Sequence, residues 1–233
     1  MPARAREFPY DRDQACRELS ARDARLRRLI ERAGPFTMEL QPTRSTFEAL
    51  LESITHQQLH GNAARAIHGR VLALFPARRP SARTFLALPQ APFRGAGLSA
   101  SKLAAIQDLA EKCADGTVPA FSRLAALPDD EICERLTTVR GIGLWTVQML
   151  LIFRLGRPDV LPTGDYGVRK GFGLTMGTLR SGTPIAPADL PKAAEMERRA
   201  ARWQGWRSVA SWYLWRACDL AAPAKSSANR QPA

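Results

Sequence analysis

Residues 136–169 read LTTVRGIGLWTVQMLLIFRLGRPDVLPTGDYGVR, and this stretch decides the fold. Ile132, Leu136 and Val139 recur at helical spacing, which predicts a short helix running up to Arg140. Gly141-Ile142-Gly143 then breaks it, because glycine accepts positive φ and lets the backbone reverse sharply. From Trp145 to Leu155 only Thr146, Gln148 and Arg154 are not apolar, the pattern of a helix buried on most sides. A glycine turn that feeds a helix start leaves N–H groups pointing outward, and such a site suits a phosphate. No Gly-x-x-x-x-Gly-Lys run and no β-like run accompanies the turn, which argues against a nucleotide-binding loop. Taken alone, Gly-x-Gly also reads as a plain connection between helices. Further on, a lone carboxylate, Asp165, closes the loop Pro162-Thr163-Gly164-Asp165.

The rest of the chain reads as helices and loops. Residues 11–33 mix charges with Cys16, Leu19, Leu26, Leu29 and Ile30, as one or two helices ending at Gly34-Pro35. Ser45 followed by Glu48 fits a capping box for a helix carrying Phe47, Leu50, Leu51 and Ile54. Gln57 to Gly61 interrupts that helix, and Asn62 to Leu74 forms the next. Residues 76–95 read as a loop with one short helix at 82–88. Ser99 to Cys113 is amphipathic through Leu103, Ile106 and Leu109. Helices at 121–127 and from Pro128 lead to the glycine turn. Beyond Asp165, helices are expected at 166–174, 187–203 and 208–220, and a disordered tail at 222–233. No strand pattern emerges, so the fold class is all-α.

Composition narrows the function. The 233 residues hold 34 basic and 22 acidic side chains, a formal net charge of +12, which favours a polyanionic partner, nucleic acid first. Cys16, Cys113, Cys133 and Cys218 are far apart and form no C-x-x-C pair, so neither a zinc site nor an iron–sulfur cluster is expected. Reduced thiols fit a cytoplasmic, nucleoid-associated protein, and no membrane-length apolar run exists. His56, His60 and His68 sit at helical spacings of four and eight; a metal trio is conceivable, but no carboxylate motif accompanies it, and packed or solvated histidines are the simpler reading.

Several segments in order carry a family resemblance. They are Ser53-Ile54-Thr55-His56-Gln57-Gln58-Leu59, Ala63-Ala64-Arg65-Ala66-Ile67, Gly97-Leu98-Ser99-x-x-Lys102, the glycine turn with Trp145-Thr146, Leu161-Pro162-x-x-Asp165, and residues 206–216. Together they resemble the helix-hairpin-helix (HhH-GPD) DNA glycosylases, closest to the monofunctional alkyl-purine branch, 3-methyladenine DNA glycosylase II. The resemblance implies two helical lobes over 1–221, with both termini in one lobe and an active cleft between them. It also implies excision of alkylated purines from double-stranded DNA by a monomer.

The same resemblance assigns roles to residues. Asp165 would stabilise oxocarbenium character and activate water; on the residues alone it also reads as a helix cap. Trp145 stands where bifunctional relatives carry an attacking lysine, so no Schiff base is expected. A positively charged base would be held by Trp145 and Trp215, with Trp212 and Tyr213 nearby, and Met149 falls where some relatives have an aromatic. Gln57-Gln58-Leu59 matches the loop that fills the gap left by a flipped base, with Gln58 or Leu59 as the wedge. Amides near Gly141 and Gly143 would hold a phosphate, with Arg140 and Lys170 adding charge. Backbone carbonyls of Thr137, Val139 and Ile142 would hold a monovalent cation, and no other cofactor is required. The competing readings are a non-catalytic binder of damaged DNA and a glycosylase for oxidised or deaminated bases.

Overall fold

The computed structural model describes residues 7–59 and 61–222, so His60 and the tail from residue 223 lie outside the described residues. Thirteen α-helices occur there, with no strand among the described residues. They are α1 (Arg12–Arg22), α2 (Ala24–Ala33), α3 (Thr46–His56), α4 (Gly61–Ala73), α5 (Ala82–Ala87), α6 (Ala91–Gly95) and α7 (Ala100–Ala114). Then follow α8 (Phe121–Leu124), α9 (Asp129–Thr137), α10 (Leu144–Leu150), α11 (Tyr166–Met176), α12 (Ala193–Ala200) and α13 (Arg207–Ala221). Two compact units emerge: one is built on Glu39–Gly156, the other on Phe8–Met38 with the chain from Arg157 onward. No helix among the described residues is long and apolar enough to cross a membrane.

In the first unit, Leu50, Leu51 and Ile54 of α3 are fully buried, as are Ile106 and Leu109 of α7 and Val147 of α10. Helix α3 begins where Ser45 Oγ accepts the Glu48 N–H at 3.0 Å. Only half of the expected capping box forms, because the Glu48 carboxylate reaches back to the Arg44 N–H (2.7 Å). Helix α6 was not expected: Pro92 sits at its start, where a missing N–H costs nothing, and it buries Phe93. The helix at Trp145–Leu155 splits into α10 and a wider π-turn at Leu151–Leu155, ended by left-handed Gly156.

The second unit turns on two features. Asp23 caps α2 by accepting the N–H groups of Arg25 and Leu26, and the same carboxylate takes two bonds from Arg199 and one from the Trp203 indole. Burial alone would raise the pKa of Asp23, but these donors outweigh it and hold the carboxyl below its ordinary value. The other feature is the close approach of α11 and α13. A Cβ built at Gly171 would lie 1.9 Å from the Leu214 carbonyl oxygen, and one at Gly167 would lie 2.7 Å from Trp215 Cδ1. The four-residue spacing puts both glycines on one face of α11.

Two stability outcomes follow from the second unit. Gly171→Ala is expected to cost about 3 kcal/mol or more in denaturant unfolding, because the added methyl meets main chain that cannot rotate away. For Asp23, a depressed folded-state pKa means that the contribution is complete above the unfolded carboxyl value, near pH ~4, and is lost as pH falls through the folded value. Asp23→Asn should cost about 2–4 kcal/mol at neutral pH and weaken the fall in melting temperature below that point.

Candidate active site

The hairpin occupies the first unit. Helix α9 ends at Thr137, Val139 N–H returns to Leu136, and Ile142 N–H bonds the Val139 carbonyl at 3.0 Å. Gly141 has φ +76, the left-handed conformation that the glycine reading anticipated. Gly143 then precedes the first turn of α10. The Arg140 N–H is taken by Asp108 Oδ2 at 2.7 Å, which excludes it from anion binding. Lys112 bonds the other oxygen of Asp108. The N–H groups of Gly141, Gly143 and Leu144 have no hydrogen-bond partner among the described residues, so the amides open to an anion begin at Gly141. The Thr137 carbonyl ends α9 without a main-chain partner among the described residues, and Val139 offers a carbonyl with one lone pair engaged. Neutral carbonyls at the negative end of a helix suit a hard monovalent cation, so the residues present fit the cation that the resemblance implies.

A cavity of about 770 Å³ beside the hairpin brings five of the expected residues together: Gln57, Gln58, Gly141, Trp145 and Met149. Trp145 is 49 % exposed, and Leu144 beside it is 54 % exposed. Both face outward at the start of α10, where apolar side chains ordinarily turn inward. The cavity also includes Glu52, His56 and Arg154, which sequence reasoning did not select. Arg154 pairs with Glu52 at 2.6 Å and donates to the Pro42 carbonyl at 2.7 Å. His56 Nδ1 lies 4.0 Å from Glu52, and its ring centre is 5.4 Å from that of His68. Burial lowers the His68 pKa and keeps that imidazole neutral. No cluster of three metal-ligating side chains occurs among the described residues.

Asp165 belongs to the second unit. Its own N–H bonds the Pro162 carbonyl at 2.9 Å, closing the expected Pro-Thr-Gly turn. Its Oδ1 accepts the Val168 N–H at 2.7 Å and the Trp215 indole N–H at 2.9 Å. The capping reading and the functional reading therefore describe one geometry, a half-buried carboxylate pinned at the N-terminus of α11. The Trp215 indole thereby helps to orient the carboxylate. The Cys218 thiol approaches the Gly167 carbonyl at 3.3 Å, but burial pushes its pKa up, so it is no nucleophile at neutral pH.

Two expected pocket residues pack the core instead. Tyr213 is 1 % exposed, and its hydroxyl donates to the Gly34 carbonyl. Trp212 is 7 % exposed between Phe36 and Tyr213, edge-on to both rings. The WY pair sits on a helix whose apolar residues run around most of its circumference, and nothing in that pattern marks which side faces the core. Lys170 on α11 is half-buried, and Arg140 is exposed. Leu59 is 38 % exposed beyond Gln58, whose φ of +57 is unusual for a residue with a side chain.

The family described as HhH-GPD superfamily base excision DNA repair protein matches residues 51–185. DNA-3-methyladenine glycosylase 1 of Schizosaccharomyces pombe is 32 % identical over 209 residues, covering 87 % of this chain and 86 % of that one. The S. pombe 3-methyladenine DNA glycosylase solved with abasic DNA superposes with a TM-score of 0.72 at 30 % identity, over 87 % of this chain and 95 % of that one. A DNA-3-methyladenine glycosidase from Bacillus halodurans gives a TM-score of 0.76 at 30 % identity, over 91 % and 90 % of the two chains. A carboxylate capping the helix after a Pro-Thr-Gly turn, an indole bonded to it and a glycine hairpin thus stand in a chain that belongs to the HhH-GPD superfamily of base excision DNA repair proteins.

Proposed function

We propose that this chain is a monofunctional DNA glycosylase. It flips an alkylated purine such as 3-methyladenine or 7-methylguanine out of duplex DNA and hydrolyses its N-glycosidic bond. The observation that carries this reading is the Asp165 carboxylate, fixed through Oδ1 by two donors in a chain whose relatives excise 3-methyladenine.

The chemistry follows from the residues. As the bond to the base lengthens, the sugar gains positive charge, and a fixed carboxylate stabilises it without reorganising. The same carboxylate draws a proton from the attacking water. An alkylated purine already carries positive charge, so it leaves without strong protonation. The exposed indole of Trp145 supplies cation–π attraction on the order of 0.5–2 kcal/mol. Tryptophan at 145, where bifunctional relatives carry a lysine, supplies no amine, so a Schiff base is not expected. The product is an abasic site in an uncut strand.

The DNA backbone meets the free amides of Gly141 and Gly143, with Arg140 and Lys170 adding charge. A monovalent cation on the carbonyls of Thr137, Val139 and Ile142 would add positive charge facing the same phosphate. Gln58 or Leu59 fills the vacated stack. The protein works as a monomer, in the cytoplasm at the nucleoid.

Chromatography of bases released from methylated duplex DNA tests the reading. Wild type is expected to release 3-methyladenine or 7-methylguanine, and Asp165→Asn should be slower by about 10²–10⁴-fold while binding the DNA equally. Binding without release by both proteins would favour a non-catalytic binder, and faster release of hypoxanthine or 8-oxoguanine would favour another lesion class. Borohydride added during turnover should trap no protein–DNA adduct; a trapped adduct would refute the water-only mechanism.

A further inference from the structure

The Gly97-Leu98-Ser99-x-x-Lys102 motif takes no part in the chemistry above, yet its geometry is specific. Ser99 caps α7 by accepting the Lys102 N–H at 3.2 Å. The Lys102 side chain then reaches α3, where its Nζ donates to the Thr55 carbonyl at 2.7 Å and the Gln57 carbonyl at 2.8 Å. These lie at the end of α3, where helical carbonyls lack intrahelical partners. A cation there also meets the negative end of the helix. Gln57 in turn sends its amide Nε2 to the Gly141 carbonyl at 2.9 Å. Three hydrogen bonds thus hold the main chain up to Gln58, which sits in the left-handed region, and Leu59 projects beyond it. Such a backbone conformation persists where its surroundings over-determine it.

We propose that Lys102 is a positioning residue for the wedge. Its ammonium fixes the Thr55–Gln57 main chain, so that Gln58 and Leu59 enter the base stack at the register that keeps a flipped purine out. This rests on the reading of Gln57–Leu59 as the intercalating loop. Two carbonyls need a donor with at least two protons aimed apart, which an ammonium or a guanidinium has and a thioether lacks. Partial desolvation, which lowers the Lys102 pKa, also strengthens both bonds.

The test compares excision from methylated duplex DNA with excision from methylated single strands, where no stack has to be filled. Lys102→Met is expected to lower kcat/KM on duplex by about 10–100-fold while single-strand activity stays at the wild-type level. Lys102→Arg should recover most of the loss. A 2-aminopurine placed beside the lesion gives an activity-independent readout, its fluorescence at saturating protein falling in Lys102→Met. The double variant Gln58→Ala/Leu59→Ala serves as the reference. If it leaves duplex excision unchanged, the wedge reading itself fails. If it lowers duplex excision while Lys102→Met does not, or if Lys102→Met lowers both substrates equally, the positioning role is overturned.

Discussion

Main chain meets main chain where α11 crosses α13, and the geometry around Asp165 in the second unit depends on that approach. Gly171 lets the Leu214 carbonyl into space that any side chain would fill, and Gly167 does the same for the Trp215 ring. The Asp165 carboxylate at the head of α11 and the Trp215 indole on α13 are thereby brought within one hydrogen bond. A longer separation would leave the cap from Val168 but lose the second donor. The carboxylate would then keep its helix and lose its fixed orientation, on which its proposed catalytic role rests.

The net charge of +12 points to DNA, but many basic side chains are used inside the protein. Arg199 and Arg207 each form paired bonds to a carboxylate, Asp23 and Asp159. Arg70, Arg94 and Arg169 donate to main-chain carbonyls at helix ends and turns. A guanidinium fits these tasks because its planar fork satisfies two acceptors at once. Basic residues whose side chains make no such bonds among the described residues are therefore a better guide to the DNA surface than the total.

Much of this was legible in the sequence, for identifiable reasons. Helical periodicity gave α3 and α7 because each has a continuous apolar stripe, and Gly141-Ile142-Gly143 marked the hairpin because glycine suits the φ of +76 at Gly141. Asp165 was legible as a lone carboxylate after a Pro/Gly turn. Helix α6 was hidden because Pro92 reads as a breaker, although it is harmless in a first turn. The core positions of Trp212 and Tyr213 were hidden because α13 is apolar on nearly every side. The tie from Lys102 to the end of α3 joins residues 45 and 47 positions apart, and no local pattern carries that information.

The left-handed backbone at Gln58 has a consequence for how this loop is selected. A residue with a Cβ gives up roughly 1–2 kcal/mol in that conformation, and glycine or asparagine would relieve most of it. Selection for a robust fold alone would therefore favour glycine here. On the proposed intercalating role of this loop, glycine would have no side chain to put into a base stack and would loosen the tip that presents Leu59. Retaining glutamine then exchanges thermodynamic stability for a shaped, pre-ordered loop, and stability and the proposed function pull position 58 in opposite directions.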